Sequence, residues 1–143
     1  MVKAIPDGYH SVTPYLTVAD VPRMLEFVQA AFGATIHEAI SGEDGQIRHA
    51  EVQLGDSKIM IGQARENYPA RPGALYLYVE DTDANYQRAI AAGAKSLMEP
   101  ADQFYGDRNA GVEDPLGNSW WIATHVEDVT PEEMERRAKE QLK

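Results

Sequence analysis

The apolar residues of this chain fall into short alternating runs interrupted by two amphipathic stretches, and the order of the runs repeats. Residues 11–19 alternate as a half-buried strand does. Asp20 then offers a side-chain oxygen to cap a helix whose apolar positions Val21, Met24, Leu25, Val28 and Phe32 follow the 3.6-residue period. Pro22 suits the first turn and Gly33 the C-terminal stop. Three strand-like runs follow, 34–41, 46–54 and 58–64, with Gly42-Glu43-Asp44-Gly45 and Gly55-Asp56-Ser57 as the turns between them. The second half predicts a strand over 74–80, a helix over 82–92 ended by Gly93, and strands near 95–101, 105–113 and 119–126. The unit is βαβββ, used twice.

Residue identities support the duplication. Tyr15-Leu16-Thr17-Val18-Ala19-Asp20 aligns with Tyr76-Leu77-Tyr78-Val79-Glu80-Asp81, and Phe32-Gly33-Ala34 aligns with Ala92-Gly93-Ala94. Leu54-Gly55-Asp56-Ser57 aligns with Leu116-Gly117-Asn118-Ser119, and Glu51 with Glu113. A repeat of about 60 residues is too long for a solenoid unit and fits a duplicated small module. The expected organisation is α+β: a single domain over 1–143, with module one at 8–64, a Pro- and Gly-containing linker at 65–73, and module two at 74–126. A C-terminal helix over 130–142 follows, with Thr130 and Glu133 as a capping box and Pro131 in its first turn.

Alternation also assigns faces. Leu16 and Val18, with Leu77 and Val79, form the apolar set that meets the helices. Thr13, Tyr15, Thr17, Ala74, Tyr76 and Tyr78 then face the other way, together with His49, Glu51, Gln53, Gly111, Glu113, Trp121, Ala123 and His125. With Tyr105 nearby, this second surface is aromatic with a few polar groups, a lining that suits a small organic ligand. The candidate ligand-binding residues are Tyr15, His49, Glu51, Tyr76, Tyr78, Tyr105 and Trp121. His49 and Glu51, two apart on one strand, are also the candidates for acid/base work. Arg108, beside Asp107, reads as half of a local ion pair ahead of a ligand clamp, His125 as a surface or rim residue, and His10 lies on the helix side by parity with no role.

Composition narrows the function classes. Charged residues are 25% and apolar residues 43% of the chain, which is ordinary for a globular domain and excludes disorder and coiled coil. The formal charge of −10 disfavours a partner that presents phosphates, so nucleic acid is not expected. With no cysteine there is no disulfide framework, thiolate nucleophile or cysteine-zinc site. No stretch approaches a membrane span or a signal peptide, so a cytoplasmic location is expected. Phosphate-loop, His-Glu-x-x-His and Gly-x-Ser-x-Gly patterns are all missing.

The duplicated βαβββ unit, with Tyr15-Leu16-Thr17-Val18-Ala19-Asp20, Ala31-Phe32-Gly33-Ala34 and Asp114-Pro115-Leu116-Gly117-Asn118-Ser119-Trp120, resembles the vicinal oxygen chelate superfamily of glyoxalase I, bleomycin resistance proteins and extradiol dioxygenases. Gly8 to Leu16, His49-Ala50-Glu51, Gln103 to Arg108 and Ala123 to Asp128 look like its PhnB-like branch. The resemblance implies sheets wrapped as a half-barrel around a cavity, and usually a homodimer. It also implies, in the metalloenzymes, a divalent ion held by His, Glu or Gln on the first and last strands of each module. Those positions fall here on Thr13, Ile59, Ala74 and Trp121. Divalent metals in such sites need imidazole or carboxylate donors, so no metal and no other cofactor is expected. The leading expectation is a protein that binds a small organic ligand in an aromatic cavity. The alternative is a metal-dependent lyase, isomerase or dioxygenase with a non-standard site around His49 and Glu51.

Overall fold

The computed structural model describes residues 2–142 and contains the βαβββ unit twice. Module one comprises β1 (Tyr15–Val18), α1 (Val21–Phe32), β2 (Thr35–Ser41), β3 (Ile47–Leu54) and β4 (Ser57–Gln63). Module two comprises β5 (Ala74–Tyr78), α2 (Thr82–Ala91), β6 (Lys95–Asp102), β7 (Asp107–Glu113) and β8 (Ser119–His125). Each forms a four-stranded mixed sheet, in the order β1-β4-β3-β2 and β5-β8-β7-β6. The first strand of each module runs parallel to the last, and the remaining pairs are antiparallel. A third helix, α3 (Pro131–Gln141), closes the chain.

The caps form where the side-chain chemistry allows them. Asp20 accepts a hydrogen bond from the Arg23 backbone N–H at 3.1 Å, Asp81 from that of Ala84 at 3.1 Å, and Thr130 from that of Glu133 at 3.2 Å. Gly33 ends α1 at φ +68°, a left-handed conformation that glycine adopts without steric cost. In module two the last helical turn stops one residue earlier than the sequence suggests, at Ala91, with Ala92 as the cap.

Helix-facing residues of both sheets make one core: Leu16, Val18, Val52, Ile61, Val112, Trp120 and Ile122 pack against Met24, Phe27, Val28, Tyr86 and Ala89. The modules meet through their helices in a reciprocal arrangement. Arg23 of α1 donates to the carbonyl of Ala92 beyond α2, at 2.9 Å, and Arg88 of α2 donates to that of Ala31 near the end of α1, at 3.4 Å. Each guanidinium thus meets the C-terminal carbonyls that the other helix leaves unpaired. Phe32 stacks obliquely on Trp120 across the same seam, with ring centroids 4.8 Å apart. This back-to-back union leaves the opposite face of each sheet open.

The turn before β8 is the most heavily braced loop. The buried carboxylate of Asp114 accepts from the backbone N–H groups of Leu116 (2.8 Å) and Asn118 (3.0 Å) and from the indole N–H of Trp120 (2.8 Å). Asn118 in turn accepts from the Gly73 N–H at 2.9 Å, which ties the end of the linker to this turn. The linker's Arg71 N–H donates to the Thr17 carbonyl at 3.2 Å, on the edge of β1 that β4 leaves free.

Candidate functional site

The open faces carry the residues that alternation places there, in two groups. On module one, Tyr15 pairs with Met60 and Met60 with Glu51, while Thr17 pairs with Gly62 and Gly62 with His49. A Cβ at Gly62 would run into the Tyr15 ring, so the missing side chain lets that ring lie across the sheet. Tyr15 and His49 have ring centroids 5.8 Å apart, and His49 Nε2 is 3.5 Å from a Glu51 carboxylate oxygen. Tyr9, which precedes β1, donates its hydroxyl proton to Glu51 in a short hydrogen bond. That bond, more than the neighbouring Glu38 and His49, holds the Glu51 carboxyl below its usual range against the opposing effect of burial. The same bond, with burial adding to it, pushes the Tyr9 phenol up to about 12. Glu51 is therefore a carboxylate already committed to a proton donor, the wrong state for a free general base.

On module two, the row Tyr76–Trp121–Gly111 crosses three strands, and the next row is Tyr78–Ala123–Asn109. Ala123 is small and fully buried, so the tyrosine hydroxyls of β5 pass over it to reach β7. Both end on Asp107, at 2.7 Å from Tyr76 and 2.8 Å from Tyr78. The other oxygen of Asp107 meets His125 Nδ1 at 2.9 Å, and His125 Nε2 meets Asp128 at 2.8 Å. Burial pushes Asp107 upward, yet the bonds from His125, Tyr76 and Tyr78 outweigh it and leave the carboxyl below its usual range. His125 is raised by the bond to Asp107 and then by the one to Asp128. Asn109 donates to Tyr76 (3.1 Å) and Tyr105 (2.7 Å) and accepts from Gln103 (3.0 Å).

Three cavities adjoin these groups. A cleft of about 580 Å³ runs between the modules and is lined by Thr13, Tyr15, Ile59, Ala74 and Tyr76, so it touches both groups. A second, of about 540 Å³, lies under the N-terminal segment beside Tyr9, His37, Glu38 and Glu51. The third, of about 280 Å³, is walled by Tyr76, Met98, Gln103, Tyr105, Asn109 and Trp121.

Several expectations are corrected by the register. Ile59 is not the counterpart of Trp121: it is buried on the helix side, and Met60 holds the equivalent place beside Tyr15. Glu113 pairs with Ser119, as Gln53 pairs with Lys58, so the counterpart of Glu51 is Gly111 and no pseudo-symmetric carboxylate pair exists. Arg108 bonds to Asp83 and Asp102 rather than to Asp107. His10 lines both the cleft between the modules and the cavity under the N-terminal segment, instead of facing the core. Tyr105 sits in the turn before β7, which starts at Asp107. Asp107, Asn109, Gln103 and Tyr9 are the residues missed. The first two share the odd-numbered face of β7 with Gly111 and Glu113, so carrying the alternation upstream finds them; nothing in the pattern singles out Tyr9.

The sequence profile of the Glyoxalase/Bleomycin resistance protein/Dioxygenase superfamily matches residues 8–122. The chain belongs to this superfamily. An uncharacterized protein of Mycobacterium bovis is 29% identical over 136 residues, covering 87% of this chain and 90% of that one. A putative glyoxylase of the same organism is 34% identical over 98 residues, covering 65% of this chain and 35% of its own. Among solved structures, TioX from Micromonospora sp. ML1 superimposes with a TM-score of 0.71 at 24% identity, over 82% of this chain and 99% of that one. A PhnB protein from Bacillus cereus does so with a TM-score of 0.63 at 16% identity, over 80% and 99%. At these identities the structures speak for the fold alone.

The metal site of the superfamily's metalloenzymes does not fit the residues present. At the corresponding places stand a Thr13 hydroxyl, the Ala74 methyl, the Met60 thioether and the Trp121 indole, none a usual donor to a hard or borderline divalent ion. Among the described residues no three His, Asp or Glu side chains are grouped to hold a metal.

Proposed function

We propose that this chain binds a small organic molecule on its open aromatic faces, and does so without a resident metal or other cofactor. The observation that carries the reading is the exchange of donor groups at the metal positions for Trp121, Ala74, Met60 and Thr13, with the Trp121 and Tyr15 rings lying across the sheet over Gly111 and Gly62. A site built this way stacks and orients a ligand rather than polarising it, which favours sequestration over turnover. Glu51 is occupied by Tyr9, so the lyase, isomerase or dioxygenase reading built on His49 and Glu51 is the weaker one.

Tyr15, Tyr76 and Tyr78 remain roughly half exposed, at 55%, 44% and 60%. Large aromatic residues left open on the sheet faces favour a second copy of the chain closing the site, so a homodimer is part of the proposal. Placement in the PhnB-like branch rests on the segments Gly8 to Leu16, His49-Ala50-Glu51, Gln103 to Arg108 and Ala123 to Asp128. The charge of −10 argues against a nucleic-acid partner, and a cytoplasmic setting agrees with a chain that has no cysteine. Among the described residues no helix is long and apolar enough to cross a membrane.

Elemental analysis of protein purified without chelators tests the metal claim, with thermal denaturation before and after adding nickel, zinc, manganese or iron. Less than one metal per several chains and an unchanged midpoint are expected; a stoichiometric ion overturns the metal-free reading. A panel of small aromatic compounds in the same assay tests ligand binding. A true ligand at 100 times its Kd stabilises by about 2.7 kcal/mol, a shift of several degrees for a chain of this size.

A further inference from the structure

The hydrogen bonds around Asp107 can each run in only one direction, and that direction propagates to the mouth of the cavity of about 280 Å³. An ionised carboxylate only accepts, so Tyr76 and Tyr78 must donate to Asp107. Tyr76 has then spent its single proton. Its oxygen accepts from Asn109, which fixes the NH₂ end of that amide toward Tyr76 and Tyr105. The Asn109 carbonyl oxygen must consequently accept from Gln103 Nε2, which turns the Gln103 carbonyl oxygen outward. Tyr105 accepts a hydrogen bond from Asn109, and its own hydroxyl proton can turn either to the adjacent Tyr76 oxygen or to the cavity it lines, where a ligand acceptor draws it. No buried side-chain polar atom in the described residues lacks a partner, so the unpartnered Gln103 carbonyl oxygen is reachable by solvent or ligand, and Tyr105 itself lines the cavity.

The remaining wall is uncharged. Trp121 lies flat over Gly111, Met98 faces the cavity with it, and among the described residues no Lys, Arg, Asp, Glu or His lines this space. Asp107 has its charge taken up behind the wall by His125 and two phenols. Such a surface offers a stacking platform with one donor and one acceptor at its edge, and gives an anion nothing to pair with.

We infer that Asp107 sets the polarity of this cavity, so that Tyr105 O–H and the Gln103 carbonyl oxygen together receive a flat, uncharged ligand carrying an acceptor beside a donor, as a cyclic aromatic amide does. This rests on the reading of the open faces as a ligand site and names the class of ligand for module two. Asp107 is a positioning residue here, since it touches the ligand only through Tyr76, Asn109, Gln103 and Tyr105.

The test uses three probes with the full chain in titration calorimetry: 2-quinolinone, N-methyl-2-quinolinone, which lacks the N–H donor, and 2-naphthoate, an anion of similar size. Wild type should bind 2-quinolinone about tenfold more tightly than its N-methyl derivative, the worth of one well-placed hydrogen bond, and bind 2-naphthoate more weakly still. Tyr105→Phe should weaken both lactams about equally, because both carry the carbonyl. Asp107→Asn should collapse the discrimination between the lactams to within about twofold, since the amide introduced there can donate to Tyr76 and release the order of the network. Should that variant fold poorly, Gln103→Met should collapse the discrimination by removing the outward acceptor together with the bond to Asn109, while the Asp107 pairs with Tyr76, Tyr78 and His125 stay in place. Equal affinity of wild type for the two lactams, or tightest binding of 2-naphthoate, overturns the inference while leaving ligand binding on this face intact. No saturable binding of either lactam overturns it too, and the compound panel above then decides separately whether the face binds ligands at all.

Discussion

Trp121 lies across Gly111, its direct cross-strand partner on β7, with the benzo edge of the indole over the glycine Cα. The glycine is there because the ring needs the space: a Cβ would meet three atoms of the indole at less than contact distance. An aromatic covering a cross-strand glycine also restores the packing that the bare backbone lacks. Gly111→Ala should therefore lift the ring from the sheet. The expected cost is about 1–3 kcal/mol, the range for overpacking a fitted position. Urea denaturation measures it, and the near-ultraviolet tryptophan dichroism should change with it. An unaltered spectrum at wild-type stability would mean that the ring does not rest on this glycine.

The Asp107–His125 pair gives stability a pH window with two limbs. Asp107 is lowered in the fold, so its contribution is complete above its ordinary pKa of 3.8 and is lost as pH falls through the lowered value. His125 is raised, so its contribution is complete below 6.5 and is lost as pH rises through the raised value. The pair thus stabilises most between those limits. His125→Asn should remove the alkaline decline: its stability difference from wild type is largest near pH 5 and shrinks by pH 9. A constant difference across that range would sever His125 from the network.

Much of this arrangement is legible in the chain alone, and the failures have a physical cause. Tyr15, Tyr76 and Trp121 are readable because period-two alternation is kept around them: buried residues flank open ones in β1 and the first half of β8, and half-buried residues alternate with exposed ones in β5. Ile59 and Glu113 are misread because the turns before the last strands differ in length. Four residues separate Gln53 from its partner Lys58, while five separate Glu113 from Ser119. Aligning the similar Leu-Gly-x-Ser motifs of the two turns absorbs that extra residue in the wrong place, and a one-residue slip moves a side chain to the other face. Asp107 escapes notice for another reason: its importance lies in three partners from β5 and β8, distant in sequence and joined only by the register.

Asp114 holds the longer of those turns. Its buried carboxylate satisfies two backbone N–H groups and the Trp120 indole, and none of these has another acceptor among the described residues. Asp114→Ala leaves two buried donors, the Asn118 N–H and the Trp120 indole, and the part-buried Leu116 N–H without partners; each buried one is worth about 1–3 kcal/mol, with partial relief as water enters. A loss of about 3 kcal/mol or more is expected in chemical denaturation, placing this substitution among the most damaging in the chain. Asp114→Asn keeps an acceptor and should cost markedly less. Equal losses for the two variants would show that charge rather than hydrogen bonding matters at this turn.

Tyr9 fastens the segment before β1 over the face of module one, through its bond to Glu51 and the edge contact of its ring with His37, 6.2 Å between centroids. Tyr9→Phe keeps the ring and removes the donor. Glu51 then rises toward its ordinary pKa, because the bond that chiefly lowers it is gone. A hydrogen bond to a charged acceptor is worth about 1.5–3 kcal/mol, and half-exposure of the tyrosine reduces this to about 1–2 kcal/mol. A lowered carboxyl stabilises above its unfolded value of 4.5 and loses that contribution as pH falls through the folded value, so the variant should differ from wild type at pH 7 and converge with it in strong acid. Amide exchange should quicken in the segment before β1 and not in β5 to β8, since module two makes no use of Tyr9. Slow exchange throughout that segment in the variant would mean that the N-terminus is held by something other than this bond.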